Sequence, residues 1–140
     1  MGEARTLQEQ NIQHWNAHDP AAWVGDFSSD AKIAGPGAGG SGTEMVKTFY
    51  SIWQDAFPDN EVRVINIFED GATTILQAEF QGTHTETMNA PDQTIPATGR
   101  RVTIPFVTID RYDGRKITEF TLYFDRAELL GQLGLLPTPA

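Results

Sequence analysis

The sequence predicts an α+β fold, in which amphipathic helices from the first part of the chain cover one face of a curved antiparallel sheet. Apolar residues recur at helical spacing over residues 43–57, which indicates a helix with one wide apolar face. Segments rich in β-branched and aromatic residues follow, and Asp70-Gly71 and Asp113-Gly114 indicate hairpin turns between them. Helices followed by a run of strands are typical of an α+β domain rather than of alternating βα units.

The length of 140 residues predicts one domain over 1–140, and the composition excludes several functional classes. The net charge of −9, with no basic cluster beyond Arg100-Arg101, argues against nucleic acids and anionic membranes as partners. There is no cysteine, so thiol nucleophiles, disulfides and thiolate metal sites are excluded. No apolar stretch approaches about 20 residues and the start lacks a signal-peptide pattern, so we expect a cytoplasmic protein without membrane contact.

Three helices are predicted in the first part of the chain. The first spans residues 6–17, where apolar residues lie among Gln, Glu and Asn. Asp19-Pro20 then has the pattern of an N-cap followed by proline at the first helical position, and it opens a short helix through Phe27. Thr43 is expected to cap the third helix, and Pro58 to end it.

The remaining segments are predicted as strands, loops and one last helix. Residues 31–34 are a short strand candidate, and the four long strands are placed at 61–68, 73–84, 101–112 and 115–124. The glycine-rich stretch 35–42 lacks a phosphate-binding motif and is interpreted as a flexible loop, as is 85–98. The final helix spans 126–133 and ends at Gly134. Laying the helices on the sheet leaves a cone-shaped cavity, a natural site for a small molecule.

Asp125 lies where the last strand meets the last helix, so it is either a helix N-cap or a functional group on the rim of the cavity. Capping is the more common use of aspartate at such a position. Strand alternation places Glu119, Thr121 and Tyr123 on the same face as Asp125. Both faces of this strand are substantially apolar or aromatic, so both are expected to be covered, one of them by another subunit.

The surroundings of Asp125 depend on how the last two strands pair. With a tight turn at Asp113-Gly114, Thr108, Phe106 and Ile104 lie opposite Glu119, Thr121 and Tyr123, and a shift of one residue changes these partners. Aromatic neighbours would remove water from the carboxylate. Desolvation favours the protonated form of a carboxyl group, which suits a general base or acid.

Other polar residues give weaker indications. His84 ends the second long strand and could polarise a carbonyl or position water, although a lone histidine more often has a structural role. His14 and His18 have the spacing of metal ligands, but no third ligand stands beside them, so no metal site is predicted. Some of the aromatic residues on the helices must line the cavity, which would favour a flat, apolar ligand.

Five segments, taken in order, resemble the SnoaL-like polyketide cyclase family. They are WQDAFPD at 53–59, GTHT at 82–85, TGRRV at 98–102, RYDGRKI at 111–117, and YFD at 123–125 with QLG at 132–134. The resemblance covers about Leu7 to Pro137. It implies the NTF2-like fold, an α+β cone that usually assembles as homodimers or homotetramers.

The resemblance also implies a chemistry that needs no metal or cofactor. In characterised members of the family, an aspartate of the last strand abstracts an acidic proton from a polyketide ester, and the enolate closes a ring by aldol addition. The matching residue here is Asp125, and His84 matches the Gly-Thr-His motif. We therefore expect Asp125 and His84 to be catalytic, and Glu119 and Tyr123 to be polar neighbours of the substrate. The walls of the cavity are predicted to be Trp15, Trp53, Phe57, Phe80 and Phe106.

Two alternatives stay open. A hydratase, hydroxylase or epoxide hydrolase on the same fold would need a second acid, such as Glu119, to hold water beside Asp125. A non-catalytic ligand-binding or dimerisation module would need Asp125 only as a helix cap. The sequence departs from the family pattern at Thr85-Glu86, Phe106 and Thr121, around the expected pocket, so the identity of the substrate does not carry over.

Overall fold

The α+β fold is confirmed by a computed structural model, which describes residues 2–136. Met1 and residues 137–140, including Pro137 at the end of the resemblance, lie outside the described residues. The helices are α1 Glu3–Asn16, α2 Pro20–Gly25, α3 Thr43–Ala56 and α4 Arg126–Gln132. The strands are β1 Phe27–Gly35, β2 Ala38–Ser41, β3 Glu61–Asp70, β4 Thr73–Thr83, β5 Met88–Ala90, β6 Gln93–Ile95, β7 Arg101–Asp113 and β8 Lys116–Phe124.

Six of these strands form one curved sheet in the order β2-β1-β8-β7-β4-β3, and β5 and β6 form a separate hairpin. All neighbours in the large sheet are antiparallel except β1 and β8, which are parallel. Helices α1 and α3 pack on one face of the sheet, and α2 lies beside both of them. Among the described residues, no helix is both long and apolar enough to cross a membrane.

The predicted start of α2 is confirmed. Asp19 is its N-cap, with its side chain accepting a hydrogen bond from the Ala22 amide at 3.1 Å, and Pro20 occupies the first helical position. The helix ends at Gly25, however, because Phe27 already begins β1 and its ring is buried in the core.

Two segments predicted as loops are hairpins. The glycine-rich stretch contains the end of β1, a two-residue turn and β2, with Gly37 at a positive φ of 77° in the turn. Gly42, at φ 93°, is the N-cap of α3 in place of Thr43. In 85–98, β5 and β6 bury only Met88 and Ile95. Strands of three residues are too short to show a period of two, which is why no sequence pattern indicates them.

The predicted pairing of β7 with β8 differs from the structure by three residues: the prediction places Thr108 opposite Glu119, whereas it lies opposite Leu122. Two of the three residues come from the turn, because Asp113 pairs with Lys116 and the linking residues are Gly114 and Arg115. A β-bulge lies between Arg111 and Tyr112, where Thr118 is an extra residue in β8, so that Phe106 lies opposite Phe124 and Thr108 opposite Leu122. A shift by an odd number of residues exchanges the side chains that face each other across the two strands. The side chains of β8 that face the helices are therefore Phe120, Leu122 and Phe124.

Helix α4 covers the edge of β7 that β8 does not reach. Gln132 pairs with the backbone of Thr103 as a neighbouring strand would: its Oε1 accepts from the Thr103 amide at 2.8 Å and its Nε2 donates to the Thr103 carbonyl at 2.9 Å. These two bonds satisfy a strand edge that would otherwise be open.

Candidate functional site

A concave, mostly apolar cavity lies between the helices and the inner face of the sheet, the kind of position in which small-molecule sites are found. Half of its sixteen described lining residues are aromatic: Trp15, Trp23, Phe49, Trp53, Phe80, Phe106, Phe120 and Phe124. Its polar lining residues, among those described, are Gln8 and Asn11 of α1 and Thr108 of β7. The polar lining residues of this main cavity thus come from one helix and one strand.

The inward side chains of β7 form a row that runs past the lining of the main cavity. Ile104, Phe106 and Thr108 line the cavity, and Asp110 and Tyr112 continue the row at every second residue. Asp110 has no solvent-exposed surface. In the sheet it lies between Thr74 on β4 and Phe120 on β8. A carboxyl group is therefore placed next to the polar lining residues, away from water.

Gln8, Thr74, Thr108, Asp110 and Tyr112 form what we call the inner polar cluster. Gln8 Oε1 accepts a hydrogen bond from the Thr74 hydroxyl at 2.8 Å and has a longer contact of 3.5 Å with the Tyr112 hydroxyl. Within the described part of the chain, Gln8 Nε2, Thr108 Oγ1 and both carboxylate oxygens of Asp110 are buried without a hydrogen-bond partner. Buried polar atoms normally have partners, so the inner polar cluster fits the polar end of a bound molecule or ordered water.

Burial also changes the proton affinity of this cluster. Because water no longer solvates its charge, the pKa of Asp110 rises to about 7, an effect that the nearby Thr108 hydroxyl opposes. Burial and the charge of Asp110 together raise the pKa of the Tyr112 hydroxyl, so it stays protonated. Near neutral pH, Asp110 is thus present in both its protonated and its ionised form. A group in that condition can both take up and return a proton.

A second acid lies beside the cavity lining. Asp26 Oδ2 accepts from Asn11 Nδ2 at 3.0 Å and lies 2.7 Å from His14 Nδ1. The side chains of His14 and Asp26 are both partly exposed. Among the described residues, no three side chains of the metal-ligating types come together to hold a metal ion.

With the site described, comparison with known families places the chain. A family model described as SnoaL-like polyketide cyclase matches residues 5–133. The chain belongs to the SnoaL-like polyketide cyclase family. Comparison with curated proteins gives no match.

Solved structures of SnoaL-like and related proteins resemble this chain over nearly its whole length. AclR of Streptomyces galilaeus, a proposed hydroxylase, is 25% identical with a TM-score of 0.80, covering 97% of this chain and 87% of its own. A proposed SnoaL-like polyketide cyclase of Jannaschia sp. CCS1 is 20% identical with a TM-score of 0.82, covering 96% and 93%. A Catenulispora acidiphila protein with a ketosteroid isomerase-like fold is 18% identical with a TM-score of 0.76, covering 95% and 97%. These similarities show the NTF2-like fold that the family resemblance implied.

Four of the five aromatic residues expected to form the cavity walls of this SnoaL-like protein lie there. Trp15, Trp53, Phe80 and Phe106 all line the main cavity. Phe57 does not. It is fully buried behind Phe80, with ring centroids 5.2 Å apart. Phe57 therefore supports the wall of the cavity from the core.

Asp125 lies outside the cavity, so its predicted position is wrong. The strand ends at Phe124, and Asp125 is the exposed N-cap of α4, accepting from the Glu128 amide at 3.1 Å. The cause is strand alternation in β8: Phe124 points inward, which directs its neighbours away from the cavity. The position of Asp125 supports the helix-cap interpretation and does not support a catalytic role.

Glu119 and Tyr123 also lie away from the cavity, on the outer face of the sheet. The Glu119 carboxylate lies 3.3 Å from Arg111 Nε, and Tyr123 is 57% exposed. Their predicted contact with a substrate in the main cavity is wrong for the same reason as for Asp125. Glu119 is consequently not placed to hold water inside the cavity.

His84 is buried but does not line the cavity. Its Nδ1 accepts from the Thr98 amide at 3.3 Å and lies 3.0 Å from the Thr98 hydroxyl, and its ring stacks on Phe57 at 5.2 Å. Burial lowers the pKa of His84, which keeps the ring neutral, and the backbone of Ile95 opposes this effect. These contacts join the two ends of the segment 85–98, so the position of His84 indicates a structural role.

Asp110 is not among the site residues predicted from the sequence, although its position within a strand is unusual. Aspartate is rare in the interior of strands, and Asp110 stands between Ile109 and Arg111 in a long strand. Alternation places it on the same face as Phe106 and Thr108, two residues that face the helices. A carboxyl group in such an inward row marks a buried polar site.

Proposed function

We propose that this protein is a cofactor-independent cyclase or isomerase that transfers a proton to and from an apolar, polyketide-like small molecule in the main cavity. Membership in the SnoaL-like polyketide cyclase family supports the class of reaction. The observation that carries the proposal is the environment of Asp110. This carboxyl group is fully buried next to a cavity with aromatic walls, and among the described residues its two oxygens have no hydrogen-bond partner. We assign the proton transfer to Asp110 in place of Asp125.

In this proposal the ionised Asp110 acts first as a base. The polar end of the substrate reaches past Gln8 and Thr108, and Asp110 removes a proton from a carbon next to a carbonyl group. Gln8 Nε2 is a buried donor without a described partner, so it can donate to the enolate oxygen that forms. Asp110 is then protonated, and the negative charge lies on the substrate.

Ring closure returns the proton. The enolate carbon attacks a second carbonyl carbon of the same molecule, a carbon–carbon bond forms, and the new alkoxide oxygen takes the proton back from Asp110. The aromatic walls contribute by holding the substrate in a flat, folded conformation near this geometry, which lowers the entropic part of the barrier to ring closure. An isomerase would use the same base and return the proton to another carbon.

The test compares two aspartate-to-asparagine changes that differ in position. Proton removal is followed as deuterium exchange at the acidic carbon of aromatic β-keto esters by NMR, which requires no knowledge of the final product. We expect Asp110→Asn to slow exchange by about 10²–10⁴-fold, the usual contribution of a general base. Asp125→Asn keeps a capping side chain and is expected to exchange at the rate of the unchanged protein. Full activity in Asp110→Asn, or loss of activity only in Asp125→Asn, contradicts the proposal.

A non-catalytic ligand-binding module is the second candidate, and the capping role of Asp125 favours it. It predicts that apolar aromatic compounds bind in the main cavity. It also predicts that neither the unchanged protein nor any variant accelerates deuterium exchange of the β-keto ester. Binding with equal affinity to the unchanged protein and to Asp110→Asn, without exchange in either, would select this candidate.

We further infer that the protein forms a homodimer through the outer face of its sheet. Phe68 and Ile75 are neighbours there on β3 and β4, and they are 55% and 40% exposed. Tyr123 adds a third large exposed side chain on β8. An apolar surface of this kind is typical of an interaction face. Light scattering should show a dimer that Phe68→Glu converts to a monomer, and a monomeric unchanged protein would contradict this inference.

A further inference from the structure

A second cavity lies between α3, α4 and the hairpin formed by β5 and β6. Phe49, Trp53, Leu122 and Phe124 line both this second cavity and the main cavity. The two cavities are therefore neighbours that share part of their wall. One ligand that displaces part of this wall can reach from one cavity into the other.

The second cavity is mostly apolar, and among its described lining residues Arg126 carries the charge. Met88 and Ile95 of the hairpin and Leu129 and Leu130 of α4 contribute hydrocarbon surface. Arg126 is the first residue of α4, and its side chain is 35% exposed. A guanidinium group stays protonated at any physiological pH, so this apolar space always has a positive charge in its lining.

Arg126 forms an ion pair with the tip of the hairpin. Its Nη2 lies 2.6 Å from Asp92 Oδ2 and 3.3 Å from Gln93 Oε1. The turn between β1 and β2 approaches closely, because a side chain at Gly37 would lie 2.8 Å from both Arg126 Nη1 and Asp92 Oδ1. Asp92 therefore occupies the position from which an anion can contact this guanidinium group. Arginine has five N–H donors, more than Asp92 and Gln93 use.

We propose that the second cavity binds the anionic, otherwise apolar arm of a ligand, with Arg126 as its counter-ion and Asp92 as an internal competitor. The ligand would place its ring system in the main cavity and a carboxylate or similar anionic oxygen group at Arg126. The inference rests on the proposed function only in requiring that the main cavity binds an apolar molecule. It does not require proton transfer by Asp110.

Two fluorescent aromatic probes of similar size, one anionic and one neutral, test this proposal. Anilinonaphthalene sulfonate is aromatic and anionic, and phenylnaphthylamine is aromatic and neutral. Because a charge-assisted contact at a partly exposed site is lost, we expect Arg126→Gln to weaken binding of the sulfonate about three- to tenfold. Asp92→Asn removes the competitor and should strengthen sulfonate binding about two- to fivefold. Binding of the neutral probe should stay within about twofold in both variants.

Matched controls come from a second ion pair at a different place. Arg115 Nη1 lies 3.3 Å from Glu3 Oε2, where α1 begins, and both side chains are well exposed. Arg115→Gln and Glu3→Gln make the same changes in net charge as the two test variants, and neither residue lines the second cavity. They should leave the affinity for both probes unchanged. Thermal unfolding of all four variants verifies that each one is folded.

Three outcomes would overturn the proposal. Arg126→Gln could weaken both probes equally, Asp92→Asn could weaken the sulfonate, or Arg115→Gln could weaken it as much as Arg126→Gln does. The titration is repeated in an Asp110→Asn background to separate the two proposals. If deuterium exchange is never observed but the opposite effects of Arg126→Gln and Asp92→Asn persist, the proposed function fails and the anion site stands. If exchange depends on Asp110 but the probes do not respond to Arg126, only the anion site fails.

Discussion

Replacing Asp110 by asparagine should make the protein's stability less dependent on pH. In the unfolded chain the Asp110 carboxyl group is exposed to water, and in the folded protein it is fully buried with a pKa of about 7. Between pH 4 and 7 the folded state therefore holds a proton that the unfolded state has lost. Stability falls as pH rises wherever the folded state binds more protons, so this group makes the fold less stable as pH increases.

The size of the effect follows from the change in pKa. Burial moves the pKa of Asp110 from 3.8 to about 7, which is roughly three units. Each unit corresponds to about 1.4 kcal/mol, so ionised Asp110 costs about 4 kcal/mol of folding free energy at pH 8 relative to pH 4. This is a large part of the total stability of a domain of this size. Asparagine has a similar shape and does not titrate, so any cost of burying it is the same at every pH.

Urea denaturation at pH 4, 6 and 8 measures this directly, at one protein concentration for all variants. Relative to the unchanged protein, Asp110→Asn should gain about 4 kcal/mol of unfolding free energy between pH 4 and pH 8. Asp125→Asn, at an exposed position, is the control and should run parallel to the unchanged protein. A difference between Asp110→Asn and the unchanged protein that does not vary with pH would refute the argument.

Two further changes test the positions of residues near α4. Asp125→Ala removes the hydrogen bond to the Glu128 amide and should lower the unfolding free energy by about 1 kcal/mol, measured by urea denaturation, without slowing deuterium exchange on a β-keto ester. A fall in the exchange rate of more than tenfold would instead restore a catalytic role for Asp125. Gly37→Ala places a Cβ on a residue at a positive φ of 77°, while the flexible ends of Arg126 and Asp92 can move aside, and should destabilise the fold by about 1 kcal/mol in the same assay. An alanine variant as stable as the unchanged protein would show that residue 37 does not adopt the left-handed conformation.

Those parts of the fold that depend on local patterns could be predicted from the sequence. The cap and proline at Asp19-Pro20 and the apolar face of α3 depend on residues close together in the chain, and both were placed correctly. A hairpin turn is also found next to the dipeptide Asp113-Gly114, although Asp113 is the last residue of β7 and the linking residues are Gly114 and Arg115. Such elements can be predicted because the spacing of their apolar residues and their capping residues are visible in the local sequence.

The candidate site depended on features that the sequence does not show. The pairing of β7 and β8 differs from the predicted one by three residues, two from a turn at Gly114-Arg115 and one from the bulge between Arg111 and Tyr112, and neither offset has a reliable sequence pattern. The hairpin of β5 and β6 was hidden because its strands are three residues long. Asp125 stood out because it lies in a recognised motif, whereas Asp110 lies within an ordinary strand. Only the fold shows that the first carboxyl group is exposed and the second is fully buried.

The pKa of Asp110 is the most direct measure of the central claim, that a buried carboxyl group beside the main cavity can exchange a proton near neutral pH. Carbon-detected NMR on protein with labelled aspartate side chains follows each carboxyl carbon as pH changes, and Asp110→Asn identifies the signal by its loss. The account predicts a midpoint near 7 for this signal. A midpoint near 4, the value of an exposed aspartate, would contradict it.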